Sequence, residues 1–599
     1  MHPQKSTHLH SPSLWGKVGV GSVVFKSIRF CQFHLSKNQA PVGNLTEFCV
    51  LCTCVGRFIP IKYNNAENET RRMEKTMYMI TPAITSLKSL TMKLINQTKT
   101  VLLILLILSG ATGLHSTVRL HSIFTDHMVV QRNKPLKVWG TGTPGERLEV
   151  SFGKFKRSAQ VSADSVWQVI FPAQHYNTTP LTIKVKAGQQ TLRLEDILIG
   201  DVWICSGQSN MEFPMMREMH VKAEKKEAAQ PLIRFTNPPP AGRYVYGVAY
   251  TDSLNRRMNT RDFYQWEQWH RCDSISFLPL SAVGYYFAKS VVRHTGIPIG
   301  IINLAIGGAP IETFISRESM AASPQFAAKV KPGNWLDNEA LPEWTRTRGR
   351  QNVGSNPAAA GDDLGPNHAY KPGFAFDAGI KSLMPMAVKG FLWYQGESNS
   401  LEKPRVDEYP DLFRLMVSSY RTAWKNRKMP FYWVQLSSID TVSYQSRFWP
   451  QFRDDQRRVM DDIPHSGMAV CSDIGFRNDV HPTNKMAVGE RLARWALVQD
   501  YGFRMVPSGP MPARVTYRQG VLTLTLHYAR GLKTSEKGDV RGFSLDGKTE
   551  CRALIRRDKI VISTPDKPEY LYYGWKPFSD ANLVNGDDLP ASTFKVKAP

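Results

Sequence analysis

The stretch Ile197-Leu198-Ile199-Gly200-Asp201-Val202-Trp203-Ile204, continuing through Cys205-Ser206-Gly207-Gln208-Ser209-Asn210-Met211, decides the fold of this 599-residue chain. Its first eight residues are mostly apolar and read as a core strand of a parallel sheet, buried on both faces. Gly207, two residues before Ser209, lets the chain turn sharply at the strand's carboxyl end. Open α/β sheets hold their ligands at such ends. Ser209 therefore stands where an attacking hydroxyl is useful. A serine at a strand-to-helix turn is also an ordinary helix cap, and the choice between the two readings rests on two later segments.

The first is Asp479-Val480-His481-Pro482, between the apolar run Met468 to Asp473 and an amphipathic helical pattern from about Asn484 to Asp500. A serine hydroxyl is a poor nucleophile until a neutral imidazole accepts its proton, and that imidazole needs a carboxylate to hold its tautomer. His481 is the candidate base and Asp479 its orienting acid. The second segment is Phe391-Leu-Trp-Tyr-Gln395-Gly396-Glu397-Ser398-Asn399, a core strand that ends in a Gln-Gly-Glu turn. An acyl-transfer intermediate carries a negative oxygen. The Gln395 amide, the backbone N–H of Ser209 and that of Gly308 are the candidate donors, each typically worth ~3 kcal/mol. Gly308 follows the run Ile299 to Ile306, and Gly307-Gly308 is equally readable as a tight turn.

Ser206 to Met211, Gly307 to Glu312, Trp393 to Asn399 and Val480 to Pro482 together resemble the SGNH/GDSL hydrolases. The resemblance is closer to the sialate O-acetylesterase family, and it spans roughly Arg119 to Asp500. It implies a serine esterase with Ser209 as nucleophile and His481 as general base, removing O-acetyl groups from sugars, sialic acids first, without a cofactor or a metal. The common α/β-hydrolase elbow fits less well, because it places glycine where this chain has Met211. The wider SGNH pattern also puts the acid three residues before the histidine, and here that residue is Asn478. Asp479 is the first choice for the acid, Asp473 the fallback, and a Ser–His pair assisted by a backbone carbonyl the third option. Glu397 and Asn399 are expected at the substrate-binding side, bracing the turn that aims Gln395. Arg477, in the histidine loop, is the candidate partner for a sialic acid carboxylate. Two rival functions stay open: an acetylesterase acting on xylan or another plant glycan, and a non-catalytic glycan-binding protein.

Length and a 42% apolar content predict two to four domains with sizeable cores. Lys93 and Lys99, the apolar run Val101 to Leu108 and the small residues up to Gly113 have the form of a secretory signal peptide, too short for a membrane span. The expectation is a start at Met92, a mature chain from about Leu114 and a secreted or periplasmic protein with no stable membrane insertion. Residues 1–91 then read as a doubtful upstream extension. Discounting these parts reduces the formal charge of +25 to about +16, which favours anionic partners in general. No basic run with interleaved aromatics points to nucleic acid. Cys205, Cys272, Cys471 and Cys551 are too widely spaced for a disulfide framework, and no His/Cys/Asp spacing resembles a metal site.

Short alternating runs predict a β-sandwich over 114–196. Alternating strand and helix patterns over 197–503 predict an α/β domain with a doubly wound parallel sheet. Helices are expected from near Ser281 and across Leu412 to Trp424. A Pro-, Gly- and Asn-rich insertion without periodicity covers about 323–370, and Trp335 or Trp344 within it is available to stack on a sugar. Strand patterns over 504–599 predict a terminal β domain.

Overall fold

The computed structural model describes residues 118–354, 356, 359–439 and 446–599. The expected extension 1–91, the signal segment 92–113 and Cys31, Cys49, Cys52 and Cys54 lie outside the described residues. Among the described residues, no helix is long and apolar enough to cross a membrane.

The fold is mixed α/β around a large mixed sheet. Its central strands are β1 (Gln190–Gly207), β2 (Gln230–Thr236), β3 (His270–Cys272), β4 (Ile299–Asn303), β5 (Gly390–Tyr394), β6 (Phe431–Val434) and β7 (Ser466–Ala469). They lie in the order β3-β2-β4-β1-β5-β6-β7, all neighbours parallel except β3 against β2. The order reverses at β1, which sits between β4 and β5, and that reversal opens the crevice where such sheets bind ligands.

Both faces of the sheet are covered, which explains why β4 to β7 are buried at every residue. Helices α1 (Ala282–Thr295) and α4 (Lys485–Gln499) pack on one face. There the Trp203 ring meets Phe287 at 5.0 Å, and a β-carbon on Gly489 would lie 2.6 Å from Cβ of Tyr286. Glycine is what lets the two helices touch. Helices α2 (Lys403–Ala423) and α3 (Trp449–Asp462) cover the other, where Phe413 of α2 lies 5.0 Å from Trp433 of β6 and the Trp433 indole donates to the Gln456 carbonyl. Helix α1 starts where its sequence signal falls: the Ser281 hydroxyl accepts from the Gly284 N–H, and Gly296 closes the helix at φ 65°.

Strand β1 does not respect the boundary expected at residue 196. Its first half pairs antiparallel with Asn177–Ala187 of the N-terminal β region, and its second half runs parallel to β4 and β5. One strand thus belongs to both regions. The segment 323–370 also carries more regular structure than its composition predicts. It holds the helix Glu343–Val353 and a small hairpin, Gly361–Asp362 with Gly365–Pro366. The helix sequence Glu-Trp-Thr-Arg-Thr-Arg-Gly-Arg-Gln-Asn-Val has no apolar stripe to reveal it.

Beyond α4, four antiparallel strands over Met511–Ser563 and three over Phe543–Lys597 enclose a separate apolar core. Arg453 of α3 is fully buried and donates to the carbonyls of Gly574, Lys576 and Pro577. Burial lowers its pKa to about 9. One buried guanidinium thus satisfies the carbonyls of a C-terminal turn.

Candidate active site

The candidate nucleophile owes its position to Gly207. That residue has φ 128°, and a β-carbon on it would lie 2.2 Å from the Tyr394 carbonyl oxygen. Only glycine fits so close to β5. Gln208 then donates its N–H to the same carbonyl at 2.9 Å, and Ser209 opens a short helix, Ser209–Glu212. The Ser209 hydroxyl is half-buried at the floor of a cavity of about 700 Å³.

His481 reaches that floor from the loop after β7. Its Nε2 lies 2.7 Å from Ser209 Oγ although 272 residues separate them. Burial, then the charge of Lys485, holds the His481 pKa below the ordinary imidazole value; Asp479 acts in the opposite direction. A lowered pKa keeps the ring neutral, the form able to accept a proton. Asp479 places Oδ1 3.3 Å from His481 Nδ1, and the same oxygen accepts the His481 backbone N–H at 2.9 Å. The Asp479 side chain is 55% exposed. Asp473, the fallback acid, is committed elsewhere: both its oxygens bind Arg491, each at 2.7 Å.

Gly308 also lines the cavity, at φ 74°, and among the described residues no hydrogen bond is made by its N–H or by that of Ser209. A β-carbon on Gly308 would lie 2.3 Å from Tyr370 Oη and 3.1 Å from the Trp344 ring. Gln395 departs from expectation. It is fully buried, and its Nε2 is spent on Asn399 Oδ1 at 2.7 Å and the Ala309 carbonyl at 3.3 Å, so it braces the turn and aims no donor at the cavity. Glu397 and Asn399, expected at the substrate-binding side, are likewise buried and do not line the cavity. Asn399 ties Gln395 to the Ile311 N–H and to Glu312, and Glu397 accepts from Asn210 at 2.5 Å. Burial raises the Glu397 pKa.

Asn210 was not singled out by sequence reasoning, yet it joins three strand ends. Its amide donates to Glu397 and to the Val480 carbonyl, and its oxygen accepts from Lys485 Nζ at 2.5 Å. Arg477 is displaced from its expected place. Its guanidinium stacks 4.4 Å from the Phe578 ring centroid, and it does not line the cavity. Trp335 is buried, with its indole donating to the Pro366 carbonyl, whereas Trp344 is half-buried and faces the cavity.

A family model described as carbohydrate esterase, sialic acid-specific acetylesterase, matches residues 366–498, the segment that supplies Gln395, Glu397, Asp479 and His481. Sialate O-acetylesterase of Rattus norvegicus is 25% identical over 73% of this chain and 83% of its own length. The protein of that name from Homo sapiens is 27% identical over 68% of this chain and 76% of its own. The chain is similar to the sialate O-acetylesterases over most of its described length. The solved structure of a carbohydrate acetylesterase from Xanthomonas citri superposes with a TM-score of 0.65 at 28% identity, over 80% of this chain and 99% of that one. These similarities support an ester hydrolase, and a serine hydroxyl hydrogen-bonded to a histidine at a cavity floor is the arrangement ester cleavage needs.

Proposed function

We propose that this chain hydrolyses O-acetyl esters of sialic acids through an acetyl-enzyme formed on Ser209. The observation that carries the reading is the 2.7 Å contact between Ser209 Oγ and His481 Nε2 inside the cavity. The hydroxyl oxygen attacks the acetyl carbonyl while its proton passes to Nε2. The oxyanion then lies against the Ser209 and Gly308 N–H groups, two donors preset before the reaction begins. The imidazolium protonates the departing sugar oxygen, and water activated by the same nitrogen releases acetate and restores the serine. Asp479 is the orienting carboxylate, in a more solvated position than a buried triad acid. The four motif segments at the carboxyl ends of β1, β4, β5 and β7 support an SGNH-type scaffold. The leader-like segment 92–113 supports export from the cytoplasm.

Ester chemistry does not choose the sugar; the family relationship is what favours sialic acid. The test is acetate release from 9-O-acetylated sialic acid and, in parallel, from acetylated xylan, by the protein and its Ser209→Ala variant. Sialate turnover lost in the variant is the expected result. Xylan turnover alone would refute the substrate and keep the mechanism, and no turnover on either would leave a glycan-binding protein.

A further inference from the structure

Ester cleavage leaves two arginines of the cavity wall without a task, Arg217 and Arg348. Arg217 is exposed, where water screens it. Arg348 is half-buried in the helix Glu343–Val353, and its Cζ lies 5.6 Å from the ring centroids of both Tyr246 and Trp344. Its Nε is buried with no hydrogen-bond partner among the described residues. The acids around the cavity are engaged elsewhere. Glu212 binds Arg243 at 2.6 Å, Glu343 pairs with Arg346, and Glu402 accepts the Glu343 N–H at 2.7 Å.

A guanidinium resting on aromatic rings presents its N–H groups outward in the plane, as a fork that fits a carboxylate in bidentate fashion. The two rings also reach the corner proposed for the oxyanion. A β-carbon on Gly307 would lie 2.4 Å from Tyr246 Oη, and one on Gly308 3.1 Å from the Trp344 ring. The same pair of side chains therefore links the guanidinium to the place where the ester reacts.

We propose that Arg348, held by Tyr246 and Trp344, forms an anion subsite that takes the carboxylate of an acidic acetylated sugar while its ester lies over Ser209. This rests on the esterase reading of Ser209 and adds the feature by which an acidic sugar is told from a neutral one.

The test compares acetate release from 9-O-acetylated sialic acid and from its methyl ester, in which the carboxylate is neutralised. The free acid should be preferred by roughly 10- to 100-fold in kcat/KM, the range for a hydrogen bond to a charged group. In Arg348→Met that ratio should fall to about one, mainly through KM, because the carboxylate is remote from the reacting bond. Arg348→Lys, which keeps the charge and loses the fork, should retain an intermediate ratio. Each ratio is internal to one preparation, so partial misfolding of a variant does not mimic the result. A ratio near one in the unaltered protein, or a preference surviving in Arg348→Met, would overturn the subsite and leave the esterase reading standing. If both sialates were inert while an O-acetylated galacturonate was cleaved with a preference lost in Arg348→Met, the subsite would stand and the sialate reading would fall. Turnover of neutral acetylated sugars alone would remove the subsite without touching the role of Ser209.

Discussion

Lys485 Nζ donates to Asn210 Oδ1 at 2.5 Å, so the first residue of α4 is bonded to the residue that follows the candidate nucleophile. Asn210 passes the connection on to the Val480 carbonyl beside the histidine and to Glu397 at the end of β5. The serine and histidine loops are thus registered by a buried polar network whose members hold one another. Such a network specifies geometry when its groups are paired and is costly to break.

Burial lowers the Lys485 pKa to about 7, and its charge is one cause of the lowered pKa of His481. A neighbouring cation disfavours imidazolium, so removing it raises the histidine pKa. In Lys485→Met the acid limb of the kcat/KM–pH profile should move to higher pH, with a lower plateau because Asn210 Oδ1 loses its donor. A profile unmoved, or moved to lower pH, would refute the electrostatic coupling.

Asp479 raises the His481 pKa, so Asp479→Asn should move the same limb to lower pH. Its loss of kcat/KM should be about 10- to 100-fold, well short of the ~10⁴ seen for a buried triad acid, because the carboxylate is half in water. Asp473→Asn should instead lower Tm by weakening the Arg491 pair and leave kcat near its starting value. The reverse pattern would make Asp473 the functional acid.

Gly308→Ala should lower kcat by ~10²–10³, the cost of displacing an oxyanion donor. The new methyl would meet Tyr370 Oη at 2.3 Å on a backbone with φ 74°. Adding Tyr370→Phe should recover part of the loss by removing that oxygen, and a double-mutant cycle measures the coupling. Full additivity would show that the backbone angle alone is responsible.

Gln395→Met separates a brace from an oxyanion donor. Asn399 Oδ1 loses one of its two donors, keeping the Ile311 N–H, and the Ala309 carbonyl loses the Gln395 amide. Stability should drop by about 1–3 kcal/mol, measured by denaturant unfolding, while kcat falls less than tenfold. A loss of 10²-fold or more with unchanged stability would restore the donor role.

Sequence exposed the parts of the site that depend on local chain chemistry. Ser209, Gly308 and His481 follow strands whose apolar runs stand out, and each sits within two residues of a glycine or proline that forces a turn. Directions across the fold were not legible. Arg477 lies four residues from His481, but its guanidinium turns to Phe578, and no local signal encodes that choice. Gln395 ends its strand as expected and then folds under the floor because Asn399, one turn on, captures its amide. Arg348 escaped notice for a different reason. Its helix has no apolar face, since the buried side includes Thr345, Arg346, Gly349 and Asn352, and periodicity detects only hydrophobic contrast. The partnership of Asn210 with Lys485 spans 275 residues and has no periodic trace.

The eighteen residues of β1 begin in the N-terminal β region and end two positions before Ser209 in Gln208's predecessor, Gly207. The candidate nucleophile is therefore mounted on a beam whose far end is clamped in a neighbouring sheet. Laboratories that shorten enzymes to a catalytic core customarily cut where composition changes, and here that cut would fall mid-beam. The N-terminal region behaves as foundation rather than attachment: grafting, swapping or trimming it amounts to editing the active site from a distance.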